Sequence, residues 1–68
     1  MTKMIIVTTE KEGNKRVSNI VLDKIEAWQI DGERSSKRLN IFVGMHIFSV
    51  CEDIDKVWAS LVDHFGGN

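Results

Sequence analysis

From Met4 to Val50 the apolar residues fall in short strand-like runs, several of them apolar on both faces, and from Ile54 to Phe65 they recur at the three-to-four spacing of a helix. The run "MIIVTT", Met4 to Thr9, is rich in β-branched residues and ends at "EKEGNKR". There Gly13 and Asn14 are expected to supply the positive φ of a tight connection. The returning strand reads as Arg16 to Leu22, and "LDKI" as a short turn into a third strand, Ile25 to Ile30. On that strand Ile25, Ala27 and Gln29 share one side, and Glu26, Trp28 and Ile30 the other. Asp31 to Arg38, "DGERSSKR", is polar and glycine-containing and predicts a loop. Leu39, Ile41 and Val43 then alternate with Asn40 and Phe42, Gly44 and Met45 make a tight turn, and His46 to Val50 returns antiparallel.

After Val50 one stripe collects Ile54, Val57, Trp58, Leu61, Val62 and Phe65. Asp53 is placed to cap this helix, with Asp55 near the positive end of its dipole. "SVCE", Ser49 to Glu52, is a competing capping-box start. Gly66 and Gly67 suit a left-handed C-terminal cap, and a protonated His64 favours the negative helix end.

This pattern predicts an α+β fold, about five short antiparallel strands followed by one C-terminal amphipathic helix. A helix of about 12 residues spans about 18 Å, enough to cover one face of a small sheet. A solvated second face would alternate cleanly between apolar and polar. Instead "MIIV", "NIVL" and "NIFVGMHIF" place large apolar groups on both sides. At roughly 25 cal/mol per Å², leaving several of them in water forgoes several kcal/mol. Two coverings are open: the sheet curls into a half-barrel with its own second core, or a second copy packs against it. Association, through the sheet face or an edge, is the expectation, because large exposed apolar patches are rare on monomers.

Length and composition sharpen this picture. The 68 residues make a single small domain, 1–68, and a chain that short buries only about 60% of its unfolded surface. Domains of this size are commonly reinforced by disulfides, a metal or association. The single cysteine, Cys51, rules out an intrachain disulfide and reads as a reducing, cytoplasmic setting. The longest apolar runs are far too short for a membrane span or signal-peptide core. Nine Lys and Arg against ten Asp and Glu give a formal net charge of −1, so no overall field draws the chain to phosphate or anionic lipid.

The strand and helix order resembles the small FlbD-type proteins of bacterial flagellar operons. The likeness is carried by "VSNIVLDKIEAWQ", by "LNIFVGMHIFSV" as a glycine-turned hairpin, and by "DIDKVWASLVD" as a terminal helix. It spans roughly residues 16 to 63 and implies a fold rather than an activity. "LDKIEAWQIDG" is more loosely similar to a phrase of LytTR-type DNA-binding domains, which implies nucleic-acid contacts from basic loops. The residues that would make them are Lys15, Arg16, Arg34, Lys37 and Arg38, with Lys11 beside them. Glu10, Glu12, Asp31 and Glu33 interleave with these cations and favour two solvated loops instead.

Catalysis would have to start from Cys51, His46 and His64. On one strand the odd spacing of His46 and Cys51 puts them on opposite faces. His64 beside Asp63 lacks the paired spacing of a metal site. No phosphate loop, paired carboxylates or zinc spacing appears, and no cofactor or metal is expected. Trp58 belongs to the helix stripe, while Trp28 is as suited to a partner surface as to the core. The expected function is a non-enzymatic protein-interaction or accessory module of bacterial or phage type that self-associates. Trp28, Ile30, Phe42, Met45 and Phe48 are its candidate interface. Nucleic-acid binding is the alternative.

Overall fold

The structure is a computed structural model describing residues 3–33 and 36–66. Arg34 and Gly67, both singled out above, lie outside the described residues. Five strands form one open antiparallel sheet: β1 (Met4–Lys11), β2 (Asn14–Val21), β3 (Ala27–Asp31), β4 (Arg38–Val43) and β5 (His46–Val50). A single helix, α1 (Ile54–Phe65), follows them. The spatial order β2-β1-β5-β4-β3 leaves β2 and β3 as edges, so the sheet does not close. The expected α+β architecture is the one observed.

The first hairpin is tighter than expected. Lys11 pairs with Asn14, so the two turn residues are Glu12 and Gly13, with φ of 53° and 81°. Positive φ at both central positions matches the twist of paired strands. Asn14 therefore opens β2 rather than serving the turn. The second hairpin pairs Val43 with His46 around Gly44 and Met45, as the alternation indicated.

Between β2 and β3 the chain crosses from one edge of the sheet to the other. A single 3-10 turn, Leu22–Lys24, is held by the Leu22 N–H on the Lys3 carbonyl (3.0 Å) and the Ile25 N–H on the Leu22 carbonyl (3.1 Å). This turn drives Leu22 and Ile25 into the core, so Leu22 ends outside β2 and β3 begins only at Ala27.

Helix α1 covers one face, where strand alternation gathers Val7, Ile20, Leu39, Ile41 and Val50 beneath Val57 and Leu61. Leu39, Ile41, Val50 and Leu61 are fully enclosed, at 0% exposure. The helix begins as the stripe predicted, but its caps differ. Asp53 sits at the N-cap in a left-handed conformation (φ 53°, ψ 37°) with no side-chain cap hydrogen bond. A sharp reversal between β5 and the helix demands that conformation, and Asp is among the residues that tolerate it. Ser49 belongs to β5 and donates its hydroxyl to Asn40 (2.9 Å), which removes the capping-box start. At the other end Gly66 is right-handed (φ −104°) and donates its N–H to the Val62 carbonyl at 2.7 Å. The expected left-handed cap at Gly66 is not formed.

Candidate functional site

The apolar groups on the second face of the sheet are divided, not continuous. Strand alternation places Met4, Ile6, Val17 and Val21 at one corner, and Phe42, Ile47 and Ala27 at the diagonally opposite one. A polar band runs between them. The Arg38 guanidinium donates to Glu10 (3.0 Å), and the Asn40 amide donates to Asp31 (2.7 Å) while accepting from Ser49 (2.9 Å). Cross-strand polar pairs of this kind stabilise a solvated face. The two-sided apolar pattern thus resolves into one core face and one mixed face.

A second apolar opening, this one with two tryptophans at its centre, is on the helix side. Only the middle of the apolar stripe of α1 is turned fully to the sheet, so Val57 and Leu61 are enclosed while Trp58 (39%), Val62 (43%) and Phe65 (43%) stay exposed. Trp28 of β3 reaches up to this shoulder. Its ring lies 6.2 Å from Trp58 in an edge-to-face contact and 5.3 Å from Phe65, both within the favoured range for aromatic pairs. Ile30, two residues along the same face of β3, is also open, at 37%. The result is a strip of apolar surface beside the outer edge of β3.

The two edges of the sheet are guarded differently. Edge strands commonly carry free charges that discourage pairing with another chain. On β2 the exposed Arg16, which makes no ion pair among the described residues, does this, beside Lys15, which is held by Glu52 (2.8 Å). At the ends of β3 the two acids are turned to internal partners: Glu26 accepts the Gly44 N–H (2.8 Å) and Asp31 accepts from Asn40. The strand between them offers Ala27, Trp28, Gln29 and Ile30, with its outer backbone edge unpaired within the sheet.

The five candidate interface residues therefore do not form one patch. Trp28, Ile30 and Phe48 lie on the helix side, Phe42 on the mixed face, and Met45 at the tip of the second hairpin. Trp58, Val62 and Phe65 were missed as surface groups because periodicity marks a stripe as apolar without saying which of its residues will be turned fully to the sheet. Among the candidate nucleic-acid contacts, Lys15 pairs with Glu52 (2.8 Å), Lys37 with Asp55 (3.3 Å) and Arg38 with Glu10 (3.0 Å). Arg16 has no such partner among the described residues. The Glu52 carboxylate holds the Lys15 ammonium above its ordinary pKa, by its hydrogen bond first and its charge second.

Cys51 is half-buried at the end of β5, its backbone N–H on the Thr8 carbonyl (3.0 Å) and its Sγ 3.6 Å from the same oxygen. His64 Nε2 is 3.1 Å from Asp23, joining the end of α1 to the 3-10 turn. Among the described residues no three His, Cys, Asp or Glu side chains are grouped to hold a metal. No helix among them is long and apolar enough to cross a membrane. Compared with protein-family models, curated proteins and solved structures, the chain matches none.

Proposed function

We propose that this chain is a non-enzymatic protein-interaction module whose first partner is a second copy of itself, joined along the outer edge of β3. The observation that carries the proposal is the exposed strip formed by Ile30, Trp58, Val62 and Phe65 around Trp28, beside the β3 edge, whose end acids Glu26 and Asp31 are hydrogen-bonded within the chain. A two-fold axis through Gln29 pairs β3 with its copy antiparallel and sets Trp28 opposite Ile30 of the second copy. That is an aromatic to β-branched cross-strand pair, among the favourable ones. Asp31 then faces Ala27, so no like charges oppose each other. The arrangement is isologous and closes on itself. It continues the two sheets into one and brings both helix shoulders together on the same face.

Cytoplasmic residence and kinship with small bacterial or phage accessory proteins of FlbD type belong to the same reading. The engagement of Lys15, Lys37 and Arg38 by acids weighs against basic loops as the leading function. The test is a mixed sample of isotope-labelled and unlabelled chains examined by isotope-filtered NMR. Contacts between the Trp28 ring of one copy and the Ile30 methyl groups of the other support the proposed register. An associated sample that lacks them contradicts it.

A further inference from the structure

A groove separates the tips of the two hairpins, and its construction points to a ligand other than a second copy. Strands β1 and β5 meet in a ladder of one residue pair, Thr9 with Val50, extended by the Cys51 N–H on the Thr8 carbonyl. Toward the tips they part. Glu10 and Lys11 of β1 face His46 to Ser49 of β5 across a cavity of about 910 Å³, within the range of ordinary ligand pockets. Strand alternation sorts the walls. Arg16, which pairs with Thr9, and Lys11, which pairs with Asn14, share the helix-side face with His46 and Phe48. Ile47 lies on the mixed face, and Met45 stands exposed at the rim.

The charges in the groove do not cancel. Neither Lys11 nor Arg16 makes an ion pair among the described residues, whereas Glu10 is taken up by Arg38. Glu12, in the turn, is the acid left beside them. We propose that the groove binds an extended acidic peptide as a short strand added to β5 where it parts from β1 toward the hairpin tip, with acidic side chains toward Lys11 and Arg16 and apolar ones toward Ile47 and Met45. Strand addition uses backbone hydrogen bonds for affinity and alternate side chains for specificity, which here calls for a ligand alternating acidic and apolar residues. The groove lies away from the β3 edge, so the inference stands independently of self-association.

The probe is a fluorescein-labelled octapeptide of alternating aspartate and valine, titrated by anisotropy, with binding located by amide shifts. Saturable binding is expected, with the shifts centred on Ile47 and Ser49 and an affinity that falls as salt is added. Lys11→Glu with Arg16→Glu is expected to weaken it by about tenfold or more, while the charge-keeping pair Lys11→Arg with Arg16→Lys retains it. Failure of the octapeptide to saturate, or shifts confined to β3, overturns the proposal. So does a lysine-valine octapeptide that binds equally well. Binding of oligodeoxythymidine in place of the peptide assigns the groove to single-stranded nucleic acid and overturns it too.

Discussion

The indole of Trp28 meets that of Trp58 edge to face, with ring centroids 6.2 Å apart and planes at 83°. This contact joins the outermost strand of the sheet to the helix, yet leaves Trp58 partly open to water. If a second copy covers the strip, both indoles move to a drier environment. Tryptophan emission should therefore shift to shorter wavelength as concentration rises, and the shift should be abolished by Ile30→Lys. Emission that is the same at all concentrations in the unmodified chain would count against burial of this strip.

Leu61 is the helix residue most completely enclosed, at 0% exposure. Its replacement by alanine removes the centre of the contact between α1 and the sheet. Leu61→Ala should cost about 2–5 kcal/mol, a large share of the stability of so small a domain. Urea titration should find the variant largely unfolded or its midpoint greatly lowered. Val62→Ala, on the exposed shoulder, should change the stability of the isolated chain far less.

Glycine has a positional role at Gly32, where φ is +81° and an added Cβ would stand 2.5 Å from the Ser36 carbonyl oxygen. Backbone cannot yield as a flexible side chain does, so Gly32→Ala meets both torsional strain and a clash. Gly13 has the same φ but open space around it. Thermal denaturation should show both alanine variants destabilised, with Gly32→Ala the worse by about 1 kcal/mol or more. Equal losses would mean that the close approach at Ser36 carries no cost.

Glu12 holds φ +53° in a two-residue turn whose favoured first residue is asparagine. Glu12→Asn should raise stability by about 0.5 kcal/mol, read as a higher urea midpoint. An unchanged or lower midpoint would show that the glutamate has a compensating contact.

The Lys15 ammonium, hydrogen-bonded to Glu52, has its pKa raised above the ordinary 10.5. A lysine whose folded pKa is raised contributes stability that is fully present below the unfolded pKa and lost as pH climbs through the folded one. The stability difference between the unmodified chain and Lys15→Gln should therefore be constant from neutral pH to about 10 and shrink above it. The pair is exposed, so the difference itself is small. A gap that widens in alkali would contradict the assignment.

Much of the architecture was legible because it rests on local periodicity. The strand alternation of Leu39 to Val43 and the helical stripe from Ile54 to Phe65 each bury one face, and both elements formed where that pattern placed them. The caps were less legible. Whether Asp53 caps with its side chain depends on the direction from which β5 delivers the chain, and that direction is set by a reversal no residue type announces. The Asn14 turn failed for a related reason: Glu12 was forced into positive φ by the pairing register of Lys11 with Asn14. The surface strip was only half visible. Alternation marked Trp28 and Ile30 as sharing a face, but the exposure of Trp58 and Phe65 follows from how the helix is rotated on the sheet. The groove between the hairpin tips depends on where β1 and β5 part, a property of sheet twist over several strands.

The most direct test of self-association is the solution mass of the chain, measured by light scattering from micromolar to millimolar concentration. A mass rising to twice the 7.8 kDa of the single chain, and returning to the single-chain value in folded Ile30→Lys with Phe65→Glu, is the expected result. A chain that remains monomeric at millimolar concentration, or a dimer that these substitutions leave intact, would contradict pairing along β3.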